Sequence, residues 1–275
     1  MKKQILTLLL FSLCAKATQI IDISIPKAGT FLLKEAVSAI TKQPCIGFDI
    51  MRETYAPSLV ALQKKLQEHG FLCLHLVFKP IYEDFCKRNN IKVCFIYRDP
   101  RDQLISQVHF MFKYSPNHGR FSFNDLLTAL IGDNKESPAN VLYPFQDAKL
   151  NSLSSQKYIS HIKRFYEGFL GWKNSPVCYA TKFEDLVGPK GGGTVNRQEI
   201  EIANIARHIG VNLTLDQVKQ IASNVFGSTW SFREGKQGSW KSYFTEEHVI
   251  QFKKVFGNLL IELGYEPDNN WHSHL

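Results

Sequence analysis

From Gln19 onward, short apolar runs alternate with segments whose apolar positions recur every three or four residues. Four runs are strand candidates: Gln19–Ile25, Phe71–Phe78, Lys92–Tyr97 and Val177–Thr181. Leu32, Leu33, Ala36, Val37 and Ile40 mark one amphipathic helix, and Leu59, Leu62 and Leu66 a second that stops at Gly70. Tyr158, Ile162, Phe165 and Phe169 mark a third. A last helix opens at Thr245-Glu246-Glu247, carries Val249, Phe252, Phe256, Leu259 and Leu263 on one stripe, and ends at Gly264. This alternation predicts an α/β fold, a three-layer sandwich whose central parallel sheet has helices on both faces. Ligands of such sheets bind outside the carboxyl ends of the strands. Gly132–Leu150 and the glycine-rich Gly188–Arg197 read as surface loops, the first long enough to wall a pocket.

Composition narrows the picture. The chain has 275 residues, 44% of them apolar, enough for one large domain with a proper core. Residues 1–17 have the layout of an export signal: Lys2 and Lys3, an apolar run from Ile5 to Leu13, then Ala15-Lys16-Ala17. That leaves a single domain over 18–275 and an expectation of a secreted or periplasmic protein, with a cytoplasmic one as the alternative. The apolar run is too short to span a bilayer, so no stable membrane insertion is expected. The net charge of +8 is compatible with several anionic partners, but the cations are scattered through mixed-charge segments and give nucleic acid no special support. Six cysteines occur without a C-x-x-C, and Cys73, Cys94 and Cys178 lie in apolar runs, as buried thiols do. No metal site is expected.

Three basic turns carry the candidate chemistry. In Lys27-Ala28-Gly29-Thr30, Gly29 lets the backbone approach a ligand and the amides opening the next helix favour an anion, with Lys27 adding charge and Thr30 a hydroxyl. The spacing is not that of the nucleotide-hydrolase phosphate loop. In Tyr97–Phe110, Arg98 ends a strand and Pro100 opens a helix that places Asp102 and Ser106 on one face. Arg98 and Ser106 can hold one phosphate together, or Arg98 can pair with Asp102. In Ser231–Thr245, Arg233, Lys236 and Lys241 lie among Gly235, Gly238 and Trp240, a composition that suits a loop folding over an anion.

Lys-x-Gly-Thr after the first strand, R-D-P-x-D with a serine eight residues after the arginine, and R-x-G-x-x-G-x-W-K near the C-terminus, in this order, resemble the sulfotransferases that use 3′-phosphoadenosine 5′-phosphosulfate (PAPS). The resemblance runs from Ile20 to about Tyr265 and implies a P-loop NTPase-like sheet. It implies that Lys27, Ala28, Gly29, Thr30, Phe31 and Leu32 hold the 5′-phosphosulfate. Arg98, Ser106, Arg233, Glu234 and Gly235 would hold the 3′-phosphate, with Phe183 of Lys-Phe-Glu-Asp-Leu and Phe226 bordering the adenine. His75 takes the place of the general base, with Glu35 and Glu53 in reserve. Phe31 and Leu32 replace a threonine and a tryptophan of the family, and Glu234 a common lysine; both changes weaken the anion site.

The reaction implied is an in-line sulfuryl transfer to a hydroxyl or amine. His75 draws the acceptor proton, Lys27 stabilises the departing phosphate, and no metal is required. The acceptor is open: small molecule, sugar, lipid or peptide tyrosine, with Phe110, Phe112 and Tyr114 as candidate lining. The alternatives are a non-catalytic binder of phosphorylated or sulfated polyanions and a P-loop small-molecule kinase using Asp99 for magnesium.

Overall fold

The computed structural model describes residues 18–47, 56–114, 122–132, 162–227 and 234–272. The expected export signal at 1–17, together with Glu53, Tyr158 and Arg233, lies outside these residues.

A five-stranded sheet runs through the centre, with β1 Ile20–Ser24, β2 Ile46–Gly47, β3 Phe71–Leu74, β4 Lys92–Tyr97 and β5 Cys178–Lys182 in the order β2-β3-β1-β4-β5. Every pairing is parallel, with Asp22 opposite Cys73 on one side and Cys94 on the other. The α/β three-layer expectation holds. β1 is apolar almost throughout because both faces are covered. Of its two polar residues, Asp22 and Ser24, Asp22 is buried with no hydrogen-bond partner among the described residues, and burial pushes its carboxyl well above the usual range.

Helix α1 (Thr30–Thr41) covers one face with Leu33, Ala36, Val37 and Ile40, joined by α8 (Val195–Ile209) and α9 (Leu215–Asn224). The other face is packed by α2 (Leu59–His69), α3 (Pro80–Arg88), α4 (Pro100–Tyr114) and α5 (Phe123–Ile131). It also carries α6 (Ile162–Leu170), α10 (Glu246–Phe256) and α11 (Leu259–Glu262). The short α7 (Phe183–Leu186) follows β5 directly. Ser58 caps α2 by accepting from the Ala61 amide at 3.1 Å, and Gly70 ends it as expected.

Three expectations change. The second strand candidate pairs only over Phe71–Leu74, so His75 stands just beyond its end. The single last helix is two: Gly257, at φ 57°, breaks it between Phe256 and Leu259. Gly188–Arg197 is not a free surface loop, because Pro189–Gly191 forms a 3₁₀ turn with Gly191 buried and α8 begins at Val195.

Candidate functional site

The chain leaves β1 for the edge strand β2, returns to β3 beside β1, and then crosses to β4 on β1's other side. Ser24, His75 and Arg98 therefore meet at the carboxyl ends of β1, β3 and β4, where such a reversal opens a crevice.

The turn after β1 holds Lys27 at φ 68° and Gly29 at φ 109°, both in the left-handed region. A Cβ on Gly29 would lie 2.8 Å from Phe183 Cδ2 and 3.0 Å from Ile96 Cδ1, so only glycine fits there. No side chain caps α1, and its first turn carries no acidic residue, leaving backbone amides and the positive end of the dipole to face an anion. Ser24 Oγ sits 2.7 Å from Thr30 Oγ1 and steadies that hydroxyl. Buried Gln103 of α4 donates to the Pro26 carbonyl at 2.9 Å. Lys27 Nζ lies 4.4 Å from the centre of the Phe110 ring. Phe31 is half-buried, whereas the Leu32 side chain enters the core, so Leu32 offers the site only its backbone.

His75 Nδ1 donates to the Ser24 carbonyl at 2.8 Å and lies 3.1 Å from Ser24 Oγ. A carbonyl only accepts, so this bond puts the ring proton on Nδ1 and the lone pair on Nε2. Burial, helped by the Lys27 charge and opposed by the Ser24 bond, holds the imidazole pKa below its ordinary value. Glu35 lies on the exposed face of α1, away from this arrangement.

Arg98 joins two of the basic turns. Its Nη2 donates to the Lys236 carbonyl at 2.5 Å and its Nη1 to the Lys27 carbonyl at 3.5 Å, while Asp102 stands 3.7 Å away. The Asp102 carboxylate mainly serves the third turn: it accepts from the amides of Gly238 at 2.6 Å and Trp240 at 2.8 Å. The Arg98 guanidinium rests 4.4 Å over the Phe183 ring, itself buried, and its Nε is a buried donor with no partner among the described residues. Ser106, two turns into α4, is half-buried on the side of Asp102. Asp99 accepts from Arg101 at Nε and Nη2, at 3.0 and 2.7 Å, and this occupies the carboxylate that a magnesium-dependent kinase would need.

Gly235, at φ 61°, and exposed Glu234 and Lys236 open the described part of the third turn. The turn docks on the glycine triplet: the Gln237 amide donates to the Gly191 carbonyl at 2.9 Å, and the Gln237 side chain donates to the Gly192 carbonyl. Phe226 is half-buried against the apolar layer formed by α1, α8 and α9, and Phe112 packs on Phe123 at 5.9 Å. Among the described residues, no group of three histidine, cysteine or acidic side chains is arranged to hold a metal, and no helix is long and apolar enough to cross a membrane.

Sequence reading missed Ser24, Gln103, Glu184 and the glycine triplet. Only Ser24 left a signal, as a hydroxyl closing an apolar strand.

The family model described as "Sulfotransferase domain" matches residues 17–264. Cytosolic sulfotransferase 1 of Arabidopsis thaliana is 24% identical, over 84% of this chain and 75% of that one. Flavonol 3-sulfotransferase of Flaveria bidentis is also 24% identical, over 86% and 80%. Among solved structures, mouse sulfotransferase SULT7A1 complexed with PAP superposes with a TM-score of 0.60 at 17% identity, covering 91% of this chain and 87% of that one.

Proposed function

Because the chain belongs to the sulfotransferase domain family, and is a sulfotransferase enzyme, we propose that it takes the sulfuryl group from PAPS and passes it in line to an acceptor hydroxyl or amine. The observation that carries this reading is the convergence of His75 Nε2, the uncapped turn Lys27–Thr30 and Arg98 at the carboxyl ends of β3, β1 and β4.

In this reading the acceptor oxygen attacks sulfur while its proton passes to His75 Nε2. The new O–S bond forms as the S–O bond to the 5′-phosphate breaks, releasing 3′-phosphoadenosine 5′-phosphate. Lys27 Nζ and the amides of residues 28–32 meet the charge growing on that phosphate. Arg98, whose buried Nε has no partner among the described residues, fits the 3′-phosphate, together with Ser106 and Gly235; Arg233, assigned to the same phosphate by the sequence resemblance, lies outside the described residues. Phe183 and Phe226 border the adenine. A donor of this kind brings a sulfur already bonded to a good leaving group, so the protein's part is to bind, orient and take one proton. The name of the flavonol relative and the aromatic Phe110 beside Lys27 support a small-molecule acceptor with an apolar body.

The test is calorimetric titration of 3′-phosphoadenosine 5′-phosphate and adenosine 5′-phosphate into the protein and into Arg98→Ala. Charge-assisted bonds to a phosphate contribute about 1.5–3 kcal/mol, so the variant should bind roughly 10- to 100-fold more weakly and lose the preference for the 3′-phosphate. Equal binding of the two nucleotides by the wild type would overturn the donor assignment.

A further inference from the structure

The third turn and the Arg98 turn are held by residues beyond the three basic motifs, and one of these is ionisable. Glu184, the first residue after Phe183 in α7, accepts the Asp99 amide on Oε1 at 3.0 Å and the Tyr265 hydroxyl on Oε2 at 2.9 Å. It thus fixes the residue next to Arg98 in the turn between β4 and α4, and ties that turn to the C-terminal segment after α11. Its neighbour Phe183 carries the Arg98 guanidinium on its ring. The Glu184 carbonyl is close-packed against Gly193, where a Cβ would stand 2.9 Å from it, so the platform under the third turn rests on the same residue.

The groups around this carboxyl come from every neighbouring element. Asp99 and Arg98 face it from the β4–α4 turn, Tyr97 from β4, Tyr166 from α6 and Tyr265 from the C-terminal segment. Lys182 of β5 lies outside, 4.5 Å over the Tyr265 ring, with its Nζ 3.3 Å from the Gly264 carbonyl. Asp185 pairs outward with Arg197, and Arg101 is held by Asp99 and Glu266. Burial and the Asp99 charge disfavour the charged form of Glu184, while the hydrogen bond from the Asp99 amide and the Arg98 guanidinium favour it. The balance puts the carboxyl at about 7, so near neutral pH it is partly protonated. A phosphate seated on Arg98 brings negative charge and offsets the guanidinium, one of the groups that favour the ionised form of Glu184.

We propose that Glu184 is the positioning residue of the donor site and takes up a proton when a 3′-phosphorylated nucleotide settles on Arg98, making donor affinity rise as pH falls. The inference rests on the donor reading above, since it needs a phosphate at Arg98. Protonated Glu184 still accepts the Asp99 amide, so the turn keeps its shape while the like charge is removed. One proton moves, from solvent to a Glu184 carboxylate oxygen, and no covalent bond to the nucleotide changes.

The test is titration of 3′-phosphoadenosine 5′-phosphate into the full chain at pH 7.5, in two buffers of different ionisation enthalpy, with Glu184→Gln beside the wild type. The wild type should take up about half a proton more than the variant. At pH 8 the variant, fixed in the neutral form, should bind about five- to tenfold more tightly than the wild type and show a flatter pH profile. Tyr265→Phe is the second variant. It removes a donor to the carboxylate, so Glu184 is protonated before the nucleotide arrives and the uptake shrinks. Nucleotide binding with the same proton uptake in all three proteins overturns this inference and leaves the donor reading standing. A wild type that does not bind the nucleotide overturns both.

Discussion

In the proposed reaction, the readiness of His75 as a base is set by the Ser24 carbonyl, by burial and by the Lys27 charge. The Ser24 carbonyl fixes its tautomer, and burial with Lys27 holds its pKa down, so the lone pair on Nε2 persists to lower pH than in an ordinary imidazole near 6.5. A base works when deprotonated, and a depressed pKa extends its working range downward. The acidic limb of the turnover profile should therefore fall below about pH 6.5, with a flat top through neutrality. His75→Ala should lose roughly 100-fold or more of turnover while binding 3′-phosphoadenosine 5′-phosphate within a few-fold of the wild type. Steady-state rates beside calorimetry read both, and a variant that keeps its rate would remove His75 from the chemistry. The residues that set this behaviour differ in legibility. His75 and Lys27 belong to types and places that chemistry singles out, whereas a backbone carbonyl selecting a tautomer has no mark in sequence.

The elements around the site differ in how they are fixed. β1 and α1 were readable because full burial of a strand and one-sided burial of a helix leave distinct periods. β2, with two residues, is too short to show any period. The last helix looked continuous because α10 and α11 pack on the same core, so Phe252, Phe256, Leu259 and Leu263 keep one stripe across the break at Gly257. The glycine triplet was misread for a related reason: composition reports freedom of the backbone, and the close approach of another segment leaves no trace in it. That approach is tight, since a Cβ on Gly191 would collide with the Gly235 carbonyl oxygen and with Val187. Gly191→Ala should push the third turn off its platform and weaken binding of 3′-phosphoadenosine 5′-phosphate about tenfold, or about 1.4 kcal/mol. The sheet itself should stay intact, as far-ultraviolet circular dichroism would show. Unchanged binding in the folded variant would mean that Asp102 and Arg98 position the third turn without the glycine triplet.

At the scale of the whole molecule, the site has no single owner. Ser24 to Thr30, His75, Arg98 to Ser106, Phe183 with Glu184, and the third turn come from segments far apart in sequence, and only the finished sheet brings them together. Motif order made the family legible, because the first two turns follow β1 and β4, whose places in the sheet are fixed by topology. The stitching between turns was not legible, since it runs largely through backbone groups: the Lys27 and Lys236 carbonyls on Arg98, and the Gly238 and Trp240 amides on Asp102. A ligand that bridges these segments binds the folded chain and has no counterpart site in the unfolded one. At 100 times its dissociation constant, such a ligand adds about 2.7 kcal/mol of stability. With roughly 2–4 °C per kcal/mol for domains of 150–250 residues, 3′-phosphoadenosine 5′-phosphate should raise the melting temperature by about 5–10 °C. The rise should grow with nucleotide concentration, be small with adenosine 5′-phosphate at the same concentration, and fall to about half or less in Arg98→Ala. Equal shifts from both nucleotides, seen by differential scanning fluorimetry, would mean that the 3′-phosphate is not what joins the segments. A shift undiminished in Arg98→Ala would place the nucleotide elsewhere on the fold.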